Sequence, residues 1–139
     1  MNTKNKDRIF CDSLKEYQTL KEETTFFKKS ENSEIFMIAM SLGFNGGIKT
    51  PLKKGKEGLA RLDYFKEEHI SMMKSIAVMD AKNVEILTNE EEIYCIAEEY
   101  ANTGIRLLKG LKVDVDSSSF VKKLAAQLLD ILNNFKHNK

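Results

Sequence analysis

The stretch Ile35-Phe36-Met37-Ile38-Ala39-Met40-Ser41-Leu42 limits the fold of this chain more than any other, because its eight residues carry a single hydroxyl as their only polar side-chain group. A helix that is apolar nearly all round has no face to give to water. The run therefore predicts a central helix. Ser30 or Asn32 can cap it by accepting a bond from a free first-turn N–H, and Gly43 is placed to end it in a left-handed conformation.

Around this centre the sequence offers amphipathic helices. Phe10, Leu14, Tyr17 and Leu20 recur at steps of three and four, which predicts a first helix from Phe10 to about Glu23. The following Thr24-Thr25-Phe26-Phe27 loses that period and reads as a turn delivering two Phe to the core. Ile70, Met73, Ile76 and Ala77 mark a third helix over 66–81, with methionines for adaptable packing. Asn83 to Leu87 reads as a short apolar connector. Thr88 or Asn89, followed by Glu91 or Glu92, is a capping-box pattern opening a fourth helix through Ile93, Ile96, Ala97 and Tyr100, and on to Leu111 if Gly104 does not break it. Gly110 and the polar run 114–119 close that helix and cap a last one, whose stripe is Phe120, Leu124, Leu128, Ile131 and Phe135. The expectation is one all-α domain over 1–139, a compact bundle of about five helices with one long Gly/Lys-rich loop.

That loop is residues 43–61, which hold five of the seven glycines and the only proline. It also holds the densest cationic cluster, Lys49, Lys53, Lys54, Lys56 and Arg61, opposed only by Glu57. Residues 1–61 carry a net +4 and residues 62–112 a net −4, so the overall +1 conceals a bipolar chain. A general nucleic-acid binder is more uniformly basic, because its affinity comes from many cations releasing counterions. Any anion-contacting footprint here is local to the loop. The same lysines read equally as a solvated surface.

Most chemistry can be set aside. No apolar run is long enough to cross a membrane, and the first residues lack the apolar core of a secretory signal, which leads to the expectation of a cytoplasmic protein. Two cysteines, Cys11 and Cys95, cannot form a disulfide framework and are expected as free thiols; with His69 and His137 they make a poor zinc set. The loop lacks the Gly-Lys-Thr order of a phosphate-binding loop. Asp114-Val115-Asp116-Ser117-Ser118 begins like a calcium loop but has Ser119 at the sixth position and Ala125 at the twelfth, so it reads as a helix cap. His69 has no local nucleophile or acid to work with. Cys95, beside Ile96, reads as a buried inert thiol. Glu90, Glu91, Glu98 and Glu99 read as a solvent-facing acidic face able to dock a basic partner. No catalytic residue, cofactor or metal is called for.

Two motifs carry a resemblance. Phe36-x-x-Ala39-x-x-x-Gly43-Phe44-x-x-Gly47-x-x-x-Pro51-Leu52, followed by Glu99-Tyr100-Ala101-Asn102-x-Gly104, resembles the DNA phosphorothioation (Dnd) system-associated protein 4 family over residues 26–111. The last helix, about 118–135, lies outside those motifs. Thr103 stands where the family often has a second glycine. The resemblance implies a non-enzymatic accessory protein of a prokaryotic DNA modification or restriction locus, and it brings no catalytic residues. Physically the motifs ask for a Gly-terminated buried helix and for an Asn-x-Gly interruption after Tyr100, at which Asn102 bonds to backbone freed by a bend. A second, weaker similarity is to ribbon-helix-helix proteins, but the alternating strand expected before the first helix is missing. The partner would be DNA or a larger protein of the system, met through the basic loop, with no membrane and with homo-oligomerisation left open. The alternative is a helical adaptor or oligomerisation module with no nucleic-acid contact.

Overall fold

The computed structural model describes residues 7–113 and 117–137. In chain order they form β1 (Arg8–Cys11), α1 (Leu14–Glu23), α2 (Asn32–Gly46), β2 (Glu57–Arg61), α3 (Glu67–Ala81), α4 (Glu90–Val113) and α5 (Ser117–His137). Short 3-10 turns at Leu62–Tyr64 and Val84–Thr88 flank α3. Five helices dominate. The polar run at Asp114-Val115-Asp116 and the side chains of Phe120 and Phe135 lie outside the described residues.

The apolar run takes the centre. Ile35, Phe36, Ala39 and Met40 are fully buried on α2, and α4 packs along it more extensively than any other element does. The helix nevertheless does not stop at Gly43. It runs to Gly46 and ends on Gly47, whose φ of +73° is the left-handed cap expected four positions earlier. Gly43 is glycine for a different reason. A Cβ there would overlap the carbonyl oxygen of Tyr100, and one on Gly104 would overlap the carbonyl of Ala39. The two helices meet backbone to backbone at Ala39, Gly43, Tyr100 and Gly104. Helix α4 is unbroken across both Gly104 and Gly110, and the interruption expected after Tyr100 is absent.

At the other end of α2 the residue before the helix is Glu31, whose N–H donates to Glu34 Oε1 at 2.8 Å, so neither Ser30 nor Asn32 takes the capping position. Asn89 does cap α4, accepting from the N–H of Glu92 at 3.2 Å. On α5 the expected stripe is buried at Leu124 and Ile131.

The N-terminal segment departs further from the sequence expectation. Phe10 belongs to a strand, and the first helix starts at Leu14. Strand β1 pairs antiparallel with β2, with Arg8 opposite Arg61 and Cys11 opposite Glu57, across an irregularity between Ile9 and Phe10. Four residues alternate too briefly to register as a strand in the sequence. Their partner, distant in sequence, supplies the missing hydrogen bonds. Only Phe27 of the Phe pair reaches the core; Phe26 stays 44% exposed and meets the Phe27 ring edge-on at 4.9 Å. With α2 ending late and β2 beginning at Glu57, the connection between them shortens to residues 47–56.

Candidate partner-binding edge

Residues 47–56 carry Lys49, Lys53, Lys54 and Lys56, and they are fastened to α4 by side chains of few neighbours. Asn102, buried at 4% exposure, donates through Nδ2 to the carbonyls of Thr50 and Pro51 at 3.1 and 3.3 Å and to Asp12 Oδ2 at 3.1 Å. The other Asp12 oxygen accepts the N–H of Lys53 at 2.8 Å. Arg106, one turn along α4 from Asn102, reaches Asp12 Oδ2 at 3.4 Å and balances its buried charge. Thr103 donates its hydroxyl to the Ile48 carbonyl at 2.8 Å and shares a 2.7 Å bond with the Thr50 hydroxyl, while the Thr50 N–H donates to the Glu99 carbonyl at 3.0 Å. A glycine in place of Thr103 has no hydroxyl to offer. Buried polar groups are tolerated when they are bonded in this way, and losing one partner leaves the others unsatisfied.

A second fastening lies at Lys49, whose ammonium donates to Asp80 Oδ2 at 2.9 Å, while the Tyr100 hydroxyl donates to Asp80 Oδ1 at 2.5 Å. Burial pushes the Asp80 carboxyl up, but the bonds from Tyr100 and Lys49 outweigh it and hold Asp80 below its ordinary 3.8. Burial and the Asp80 bond raise the Tyr100 phenol well above its ordinary value. The hydrogen bond to Asp80 likewise raises Lys49. The Tyr100 ring meets Phe44 edge-on at 5.3 Å.

These contacts divide the five basic residues expected to act together. Lys49 is consumed by Asp80. Arg61 sits on β2 and reaches Asp63 at 3.3 Å. Lys53, Lys54 and Lys56 remain together, exposed, on the rim of a cleft of about 330 Å³ between the loop and α4, with Cys95, Glu98 and Glu99 on its other wall. Among the described residues Lys53 and Lys54 make no ion pair, and Lys56 lies 4.9 Å from the centre of the Phe10 ring. Gly55, at φ +81°, makes the tight turn between them.

Two sequence readings are corrected in this cleft. Glu98 is no part of an exposed acidic face: it is 3% exposed and accepts the N–H of Phe10 at 2.8 Å, which ties β1 to α4. Cys95 is half-buried against the cleft, its thiol 4.0 Å from Glu99 Oε2. Cys11 is the inert thiol, pushed up to about 12 by burial and by the nearby carboxylates of Glu57, Glu16 and Asp12. His69 accepts the N–H of Lys66 at 3.2 Å and so serves the first turn of α3.

The sequence motifs now have positions. Gly43 and Gly104 form the helix seam, Gly47 ends α2, Pro51 and Asn102 lie in the loop fastening, and Tyr100 joins the seam to Asp80. The family model for DNA sulphur modification system-associated protein 4 matches residues 6–138, taking in β1 and α5 as well as the motif region. The chain belongs to that family. Membership associates it with a DNA sulphur modification system. Comparison with curated proteins and with solved structures gave no significant match. As a member of the protein 4 family the chain is thus a mainly helical protein, and the motif residues singled out in its sequence fall on the α2–α4 seam and the fastened loop. No helix among the described residues is long and apolar enough to cross a membrane.

Proposed function

We propose that this chain is a non-enzymatic accessory protein of a prokaryotic DNA modification and restriction system, acting in the cytoplasm as one domain from end to end. In this reading it binds DNA or a larger protein subunit through the edge formed by Lys53, Lys54 and Lys56, with Lys49 and Arg61 at its margins. The observation that carries the reading is the state of that edge: three exposed cations on a segment whose backbone is fastened at Ile48, Thr50, Pro51 and Lys53. A pre-ordered cationic edge loses less conformational entropy on meeting an anionic surface than a free loop does.

Replacing Lys53, Lys54 and Lys56 together by Glu tests it. For DNA, three phosphate contacts give a log–log salt slope of about −3, so wild-type binding in a low-salt gel shift is expected to weaken steeply with salt, and the triple variant to show neither the binding nor the slope. For a protein subunit, the triple variant is expected to fail in co-purification. Unchanged binding in both assays removes the loop from the function. A second reading, a helical adaptor without nucleic-acid contact, is favoured by Val84 and Leu87, 67% and 47% exposed beside Glu85, Glu90 and Glu91. A stable complex that survives the triple substitution and is lost in Val84→Asp selects that reading.

A further inference from the structure

The chain leaves two apolar faces open to water. The 3-10 turn Val84–Thr88 carries the first. Such a turn repeats every three residues, so Val84 and Leu87, both exposed, stand on one side of it while Ile86 packs against the core. The turn is held from both ends. Asn83 Oδ1 accepts the N–H of Glu85 at 2.9 Å, the Thr88 hydroxyl donates to the Glu85 carbonyl at 2.8 Å, and the Asn89 N–H donates to the Ile86 carbonyl at 2.9 Å. Aliphatic side chains on a segment ordered in this way give up little further entropy on being covered. Glu85, Glu90 and Glu91 stand exposed beside them, and exposed Lys82 precedes them. The second face lies on α5. There Leu124 and Ile131 are buried, whereas Leu129 and Leu132, 60% and 52% exposed and three residues apart, share a face turned to water. Lys122 lies on that same face two turns before Leu129, with Lys123 next to it and Asp130 on the flank, all three exposed. None of these seven charged residues enters an ion pair among the described residues.

Run in opposite directions, the two faces are complementary in charge and in apolar content. Glu90 and Glu91 match Lys122 and Lys123, Leu87 and Val84 match Leu129 and Leu132, and Lys82 matches Asp130. Both faces are exposed in one and the same chain, so neither covers the other from within. We infer that they cover each other between copies: the 84–88 turn of one copy docks on the exposed α5 face of the next, head to tail. This rests on the adaptor reading of Val84 and Leu87 and names a second copy of the chain as their occupant. A pair joined once leaves one face of each kind free, so further copies add to it.

The test is sedimentation velocity on the purified full chain from about 10 μM to about 1 mM. Two small faces of this kind are expected to associate with a Kd on the order of 100 μM, so the mean mass rises with concentration and passes that of a dimer, and less steeply at high salt, which screens the charge pairs. Val84→Asp and Leu129→Asp change exposed positions and are expected to keep the wild-type Tm, yet each alone is expected to stay monomeric. Mixed in equal amounts they are expected to form a 1:1 dimer and nothing longer, because one supplies an intact α5 face and the other an intact turn. The triple Lys53, Lys54 and Lys56 substitution is expected to associate as the wild type does. A wild type that stays monomeric or stops at a dimer, a mixture that gives no complex, or association lost in the triple variant overturns the inference. The adaptor reading is checked separately, by co-purification with a different protein, and survives a monomeric wild type.

Discussion

The α2–α4 seam and the 47–56 loop lie side by side on the same helix and are held by opposite means. At the seam two backbones touch, with glycine at the positions where any side chain would intrude. In the loop Gly47 and Gly55 have open space around the position of a Cβ, and what holds the segment is a set of polar side chains from Asp12 just after β1, from α3 and from α4. The seam resists change through exclusion, the loop through satisfied hydrogen bonds. Glycine serves volume in one and torsion in the other. A seam of this kind is all-or-none, while a loop held by several bonds can be loosened one bond at a time.

The largest expected effect breaks the seam. Gly104→Ala places a methyl group into the Ala39 carbonyl, an overlap with backbone that no rotamer change relieves, and is expected to cost about 3 kcal/mol or more in urea unfolding. Gly110→Ala on the same helix meets nothing within 4 Å and is expected to be neutral or to stabilise by up to about 1 kcal/mol. If both alanines behave alike, the glycines of α4 are not distinguished by packing.

Next comes the centre of the loop fastening. Asn102→Ala removes the donor shared by Thr50, Pro51 and Asp12, and is expected to cost about 2–3 kcal/mol because the buried acceptors lose their partner. Amide hydrogen exchange should rise over residues 47–56 with α2 and α4 still protected. Protection unchanged in the loop would mean that Thr103 and Asp12 suffice. Gly47→Ala is the milder counterpart, expected to cost about 1 kcal/mol for a φ of +73° and to leave the seam intact.

How far these two regions were legible in the sequence differs for the same physical reasons. The apolar run 35–42 announces a central helix because its composition alone forbids a surface, and five helices follow from periodicity. The role of Gly43 was not legible: a cap and a close crossing ask for the same residue, and only the position of Tyr100 and Gly104 across the interface separates them. The loop's lysines were visible as a cluster, but their division was not. Asp80, thirty-one residues from Lys49, and Asp12, forty-one from Lys53, are ordinary carboxylates in sequence and become specific only when β1 and α3 are folded against α4. Glu98 was misread for a related reason, since the N–H of Phe10 that it satisfies belongs to a strand too short to see. Ser33 gave no signal at all.

The smallest effect sharpens the comparison at the point where seam and loop join. Lys49→Met removes a half-exposed ion pair and is expected to cost no more than about 1 kcal/mol at neutral pH. Its pH dependence says more. Because Asp80 is held below 3.8 in the folded chain, the stability it confers is complete above 3.8 and is lost as the pH falls through its lower folded value. Tyr100 works in the other direction: raised above 10, its phenol confers stability that is complete below pH 10 and is lost as the pH climbs through its folded value. Asp80→Asn should therefore flatten both limbs of the stability profile, with the Tyr100 titration, followed by its phenolate absorbance, moving down toward 10. Lys49→Met should flatten the acid limb and remove the alkaline loss that Lys49, itself raised, contributes, while the Tyr100 titration stays above 10 because Tyr100 keeps its acceptor. A Tyr100 titration that does not respond to Asp80→Asn would show that the bond joining the seam to the loop carries no free energy, and the two regions would then be independent.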